Sequence, residues 1–113
     1  MRNTRGEARL WLVQRASAAL LGVCVLVHLI TIIYATRGGL TAAEILARTR
    51  GSSAWLVFYV VFVLSVAVHV PIGLRAIAIE WLGWRDRASG TLLIAAGVLF
   101  AVMGLAATWG LFF

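Results

Sequence analysis

The chain has 113 residues, 63% of them hydrophobic, with ten basic residues against four acidic ones and a mean hydropathy of +1.00. Soluble domains are nearer half apolar, so these totals point to a membrane protein too short to hold a soluble catalytic core as well. All ten basic residues are arginines lying mostly between apolar runs, where they set topology and meet lipid phosphates, so the high charge does not indicate nucleic acid.

The polar start, Met1 to Arg9, carries Arg2, Arg5 and Arg9. A first span is expected over residues 10–35. It is too long for the apolar core of a secretory signal and is read as a retained transmembrane helix. Cys24, the single cysteine, lies inside it. It can form no intramolecular disulfide and no Cys-x-x-Cys site, and its expected role is packing. Residues 36–52 form a loop: Gly38-Gly39 breaks the helix, and Thr41 caps a short turn through Ala42-Ala43-Glu44. A second span is expected over 53–81, a tight polar turn over 83–89 with Arg85, Asp86 and Arg87, and a third span over 90–113. Each span exceeds the ~20 residues that cross ~30 Å of hydrocarbon, so tilt or protrusion is expected.

The expected fold is therefore an all-α membrane protein, a single unit of three transmembrane helices belonging to a multi-helix anchor bundle. Trp11, Trp55, Trp81, Trp84 and Trp109 fall near the span ends, as an aromatic belt does. With the N-terminus in the cytoplasm, Arg2, Arg5, Arg9, Arg75, Arg85 and Arg87 lie inside and Arg15 close by, while Arg37, Arg48 and Arg50 lie outside. That bias sets the expected orientation. No internal repeat is visible.

The second span holds the chemistry. From Ser65 to Trp81 it places His69, Pro71, Gly73, Arg75 and Glu80 in an apolar run, and hydrocarbon tolerates such groups when they have a task or a partner. The first span holds His28. Ligation of a metal or haem, proton relay and a hydrogen bond to a neighbouring helix are all open to a histidine there. At ~100° per residue Ser65, His69, Gly73 and Glu80 share one stripe, and Ser17, Cys24, His28 and Thr31 fall within roughly 60° of one another. Small neighbours make room for a flat group such as haem or for a close helix. At 1.5 Å per residue His28 lies ~27 Å and His69 ~17 Å from the inner helix ends, a difference of roughly 10 Å. If both bind haem, they bind two haems, with a second subunit supplying the opposite ligands. Pro71 removes a helix hydrogen bond and should bend the second span.

The pattern His69-x3-Gly73-Leu74-Arg75 with Glu80 resembles the second helix of the membrane-anchor subunits of succinate dehydrogenase and fumarate reductase. In that family a haem-ligating histidine is followed by a glycine, often an arginine, and an acid at these spacings. Gln14-Arg15-Ala16-Ser17 is similar to the family's His-Arg-x-Ser opening of the first helix, and three spans with a basic start complete a likeness over essentially the whole chain. Three positions depart from it. Gln14 replaces the family's histidine, Trp11 stands where the quinone-site serine lies, and Trp81 takes the place of a tyrosine that follows the acid in some members. An indole donates a hydrogen bond but does not deliver a proton as a phenol does.

The resemblance implies haem b ligated by His69, with a second haem at His28 as in the two-haem branch, both shared with a partner anchor. It implies Gly73 as clearance for the macrocycle, Ser17, Arg15 and Arg75 about the cofactor, and Trp81, Glu80 and Arg15 about a quinone substrate. The implied partners are a flavoprotein subunit, an iron–sulfur subunit, a second membrane-anchor subunit and membrane lipid. The implied location is the bacterial cytoplasmic membrane, in a tricarboxylic acid cycle or fumarate-reducing complex. The chain has no dinucleotide fingerprint and no cysteine cluster, so it would serve as a non-catalytic subunit of succinate:quinone oxidoreductase. The competing reading is a small proton-coupled transporter or membrane assembly protein with relay histidines, oligomerising through Ala18/Gly22 and Gly97/Ala101. Against it, no acid lies in the middle of any span.

Overall fold

The computed structural model describes residues 4–84 and 87–113, so the expected roles of Arg2, Arg85 and Asp86 lie outside the described residues. The chain forms helices α1 (Thr4–Arg37), α2 (Ala42–Thr49), α3 (Ser53–Leu82) and α4 (Arg87–Phe112). Three of these, α1, α3 and α4, are long and apolar enough to cross a membrane. Helix α1 begins well before the expected start of the first span, because a lone glycine, Gly6, is tolerated there and Glu7 suits a first turn.

Helix α3 is central. It packs against α1 on one side and α4 on the other, while α2 touches α4. The buried positions are small: Ser17 and Cys24 on α1, Ser65, Pro71 and Ala78 on α3, Ser89, Ala96 and Thr108 on α4. Lipid tails are as apolar as leucine, so helices gain by close backbone approach rather than by hiding large side chains. Accordingly Leu, Ile and Val project outward along all three long helices.

Helix α3 continues through Pro71, which is fully buried. A proline lacks the N–H that would bond the carbonyl four residues back, here that of Ala67. A Cβ at Gly97 would stand 3.5 Å from that oxygen and 3.8 Å from the Pro71 ring. The freed carbonyl therefore faces α4 at Gly97, where the absence of a side chain leaves it room. Gly97 is thus used inside the chain, whereas a Cβ at Gly22 on α1 would meet nothing within 4 Å.

The helix ends are closed by local chemistry. Gly39 and Gly83 take left-handed conformations (φ 66° and 67°) after α1 and α3. The amides that follow them turn back, Leu40 to the Ala35 carbonyl and Trp84 to that of Ala78, both at 3.0 Å. The carbonyls that end α4 receive the Thr49 hydroxyl (to Leu111, 2.8 Å) and the Gly51 amide (to Phe112, 3.0 Å). This is how the α2 region is tied to the bundle.

What the sequence offered as a short turn is a full helix, α2, opened by a capping box. The Thr41 amide donates to Glu44 Oε2, and the Glu44 amide donates to Thr41 Oγ1. The backbone hydrogen bond from Thr41, then that from its hydroxyl, hold the Glu44 carboxyl below the usual carboxylate range. A depressed carboxyl adds stability that is complete above its ordinary pKa and is lost as pH falls through the lowered value. Backbone chemical shifts of α2 are expected to move toward coil only below the ordinary carboxylate range. Thr41→Ala is expected to raise tryptic cleavage after Arg48 and Arg50 about fivefold at neutral pH, the equivalent of losing one cap. Unchanged cleavage would count against a structural role for the box.

Candidate functional site

The faces of α1 and α3 meet as an antiparallel ladder: Gln14 reaches Gly73, Ser17 reaches His69, and His28 reaches Tyr59 and Phe62. Each polar contact joins groups that have no water to turn to, which is why they find each other across the helix pair.

At the level nearer the N-terminus His69 Nδ1 lies 3.4 Å from Ser17 Oγ. The Ser17 hydroxyl donates to the Gln14 carbonyl at 3.1 Å. Its lone pairs are thus left for His69, which favours the tautomer with hydrogen on Nδ1 and a bare Nε2. A ring held at one nitrogen and bare at the other is the arrangement expected of a metal-ligating histidine. The expected clearance at Gly73 is taken by Gln14, whose Nε2 would stand 3.4 Å from a Cβ at that position. The Gln14 Oε1 is buried without a hydrogen-bond partner. Alongside lies a groove of about 410 Å³ between α1 and α3, lined by Val13, Ser17, Leu20, Val61, Ser65 and Val68 among others.

At the level farther from the N-terminus His28 Nδ1 lies 3.2 Å from the Tyr59 hydroxyl. The imidazole meets the Tyr59 and Phe62 rings edge-on, with centroids 5.8 and 5.4 Å away. His28 also lines a cavity of about 350 Å³ with Phe62, Phe100, Met103 and Thr108. Tyr59 precedes His69 on α3 by a rise of about 15 Å, so the two imidazoles stand at separate levels, somewhat farther apart than the ~10 Å expected from helix ends.

The remaining expected residues are spread around the N-terminal end of the helix pair. Arg75 pairs with Glu7 across the helix pair at 3.3 Å, so its carboxylate partner comes from α1 rather than from Glu80. Glu80 is exposed and has no ion-pair partner among the described residues. Arg15 lies over the Trp11 ring at 5.0 Å. Both are exposed, on the side of α1 turned away from the buried Ser17. Trp81 is 81% exposed. The structure therefore brings His69, Ser17, Gly73 and Gln14 together and leaves Arg15, Glu80 and Trp81 facing out of the chain.

Tyr59 and Glu7 belong to these contacts and were not singled out by sequence, and Gln14 was noted there only as a departure from the family's histidine. One available signal was that a histidine deep in a span requires a partner, and Tyr59 is a hydroxyl at a matching depth. Among the described residues no three His, Cys, Asp or Glu side chains cluster to hold a metal ion. Each histidine offers a single ligand, which suits an iron already held by a macrocycle.

The model of the succinate dehydrogenase/fumarate reductase transmembrane subunit family matches residues 3–106. No curated protein and no solved structure matches the chain.

Proposed function

Because the chain belongs to the succinate dehydrogenase/fumarate reductase transmembrane subunit family, and is thereby a multi-pass membrane subunit of such a complex, we propose that it is the haem b-binding anchor. In this role it docks the flavoprotein and iron–sulfur subunits and passes electrons between the iron–sulfur subunit and membrane quinone. The observation that carries the proposal is the Ser17–His69 pair, which leaves Nε2 of His69 bare inside an apolar helix pair.

Haem b supplies one-electron chemistry between the iron–sulfur centres and the quinone. His69 would hold the haem iron through Nε2, with Ser17 fixing its ring. Gly73 gives the macrocycle room once the Gln14 carboxamide turns aside. That motion gives up no hydrogen bond at the unpaired Oε1. His28, held by Tyr59 at the other level, is the ligand to a second haem. A second anchor subunit would share both groups, and the uncovered apolar flanks of α1 and α4 leave surface for it.

Arg75 and Arg15 attend the propionates or the quinone headgroup, and Glu80 and Trp81 stand beside the quinone. Arg15, Glu80 and Trp81 point out of this chain, so their site is completed by a neighbouring subunit. The arginine bias puts the N-terminus, with His69, on the cytoplasmic side of a bacterial inner membrane.

The visible spectrum of the purified complex tests the proposal. A Soret band is expected, with bands that sharpen on dithionite reduction. A colourless preparation from haem-replete cells would sink it.

A further inference from the structure

A cavity of about 520 Å³ lies at the end of the molecule away from the N-terminus, between the second half of α1, the short helix α2 and the start of α3. Its walls include Ile30, Tyr34, Ala35, Ile45 and Trp55, and it is apolar almost throughout. Three of the four hydroxyl-bearing side chains in its wall, all but the exposed Tyr34, are already engaged within the protein. Thr31 donates to the Val27 carbonyl, Thr49 to that of Leu111, and the Tyr59 hydroxyl meets His28. The one charged side chain in the wall is Arg48, whose guanidinium stands 5.8 Å over the Tyr34 ring and so spans from α2 to α1.

Charge at this end is unbalanced. Arg37, Arg48 and Arg50 are all exposed and have no ion pair among the described residues. The acidic side chain nearby, Glu44, accepts the Thr41 amide at 2.6 Å and meets Arg48 only as the weakest of its interactions. An apolar chamber with most of its hydroxyls spent and a cation at its rim suits a ligand with a hydrocarbon tail and an anionic head. In a bilayer, that chemistry is an acidic phospholipid.

We propose that this cavity holds an acyl chain of an acidic phospholipid whose phosphate is bound by Arg48, with Arg37 and Arg50 adding to the attraction. The site does not depend on haem binding. It gives α2, which otherwise touches mainly α4, a lipid bridge to α1.

Native mass spectrometry of the purified complex tests this, with phosphatidylglycerol and phosphatidylcholine of matched chains titrated in parallel. One phosphatidylglycerol per chain is expected to be retained, preferred over phosphatidylcholine about fivefold for each arginine engaged. Arg48→Gln is expected to remove about fivefold of that preference and Arg48→Lys to keep most of it. Ala35→Phe, which fills the chamber from α1, is expected to weaken retention of both lipids. Ile45→Phe fills it from α2 and gives the same readout if Ala35→Phe lowers the yield of folded complex.

Equal retention of the two lipids would overturn the proposal, as would an Arg48→Gln variant with unchanged preference. Undiminished retention in the filled variants would exclude the chain from the cavity. Displacement of phosphatidylglycerol by equimolar inorganic phosphate would reduce the site to a bare anion contact, and that also overturns it.

Discussion

His69→Ala is expected to remove about half of the haem absorbance of the purified complex, and His28→Ala the other half, while the subunits still copurify. The argument is geometric. Two imidazoles could hold one iron only if both rings reached the same atom. His28 is paired with Tyr59, about 15 Å along α3 from His69. No rotamer of either side chain spans that interval, so two ligands at these levels require two haems. The two variants should also differ locally. His69→Ala leaves the small Ser17 hydroxyl with its bond to Gln14 intact. His28→Ala strips a ring from the Tyr59 and Phe62 edges and should cost more in thermal stability. If either single replacement abolished all haem in an assembled complex, the two-haem assignment would be wrong. If neither changed the spectrum, the ligands lie elsewhere.

The largest effect on stability is expected at Gly104. A Cβ placed there would lie 2.5 Å from Cγ1, 2.8 Å from Cγ2 and 3.1 Å from Cβ of Val63. Both methyls and the branch point stand in the way, and valine in a helix has one strongly preferred rotamer. Rotation would exchange one clash for another, so backbone separation of α3 and α4 is the remaining relief. Gly104→Ala is therefore expected to destabilise the folded chain by about 1–3 kcal/mol, although alanine is the better helix former. Gly104→Leu should open the interface further. Val63→Ala in the Gly104→Ala background should recover most of the loss, since it removes both methyls. Gly22→Ala is the control, because a Cβ there meets nothing within 4 Å. Thermal melts in detergent that rank Gly104→Ala level with Gly22→Ala would refute the close approach.

The membrane architecture was legible because the bilayer sets a length and a polarity that composition must obey. Three apolar runs bounded by arginine and tryptophan could be placed without any contact. The face of α1 that carries Ser17, Cys24 and His28 was legible too, since helical periodicity puts small and polar residues on one stripe; the structure buries Ser17 and Cys24 on it. The start of α1 and the extent of α2 were less visible. Hydropathy marks the hydrocarbon, and a helix continues into water wherever capping and charge allow, as at Glu7 and at the Thr41–Glu44 box.

Pairing was hidden for a different reason. The long helices are apolar nearly all round, so the pattern along each carries little information about which side meets a neighbour. Arg75 illustrates this. Glu80 lies closer in sequence, but the ion pair goes to Glu7 on another helix. Gly97 illustrates it again. As part of a small-residue stripe it was equally suited to an oligomer contact, and the carbonyl freed by Pro71 draws it against α3.

The sequence by itself therefore determined that the chain spans the membrane three times and carries two histidines at two depths, because span length, hydropathy and helical rise are local quantities. The tertiary structure alone decided what holds each histidine: Ser17 for His69, Tyr59 for His28. Those partners depend on the antiparallel register of α1 and α3. That register is set where small residues let two backbones come close and where polar groups, cut off from water, can reach one another.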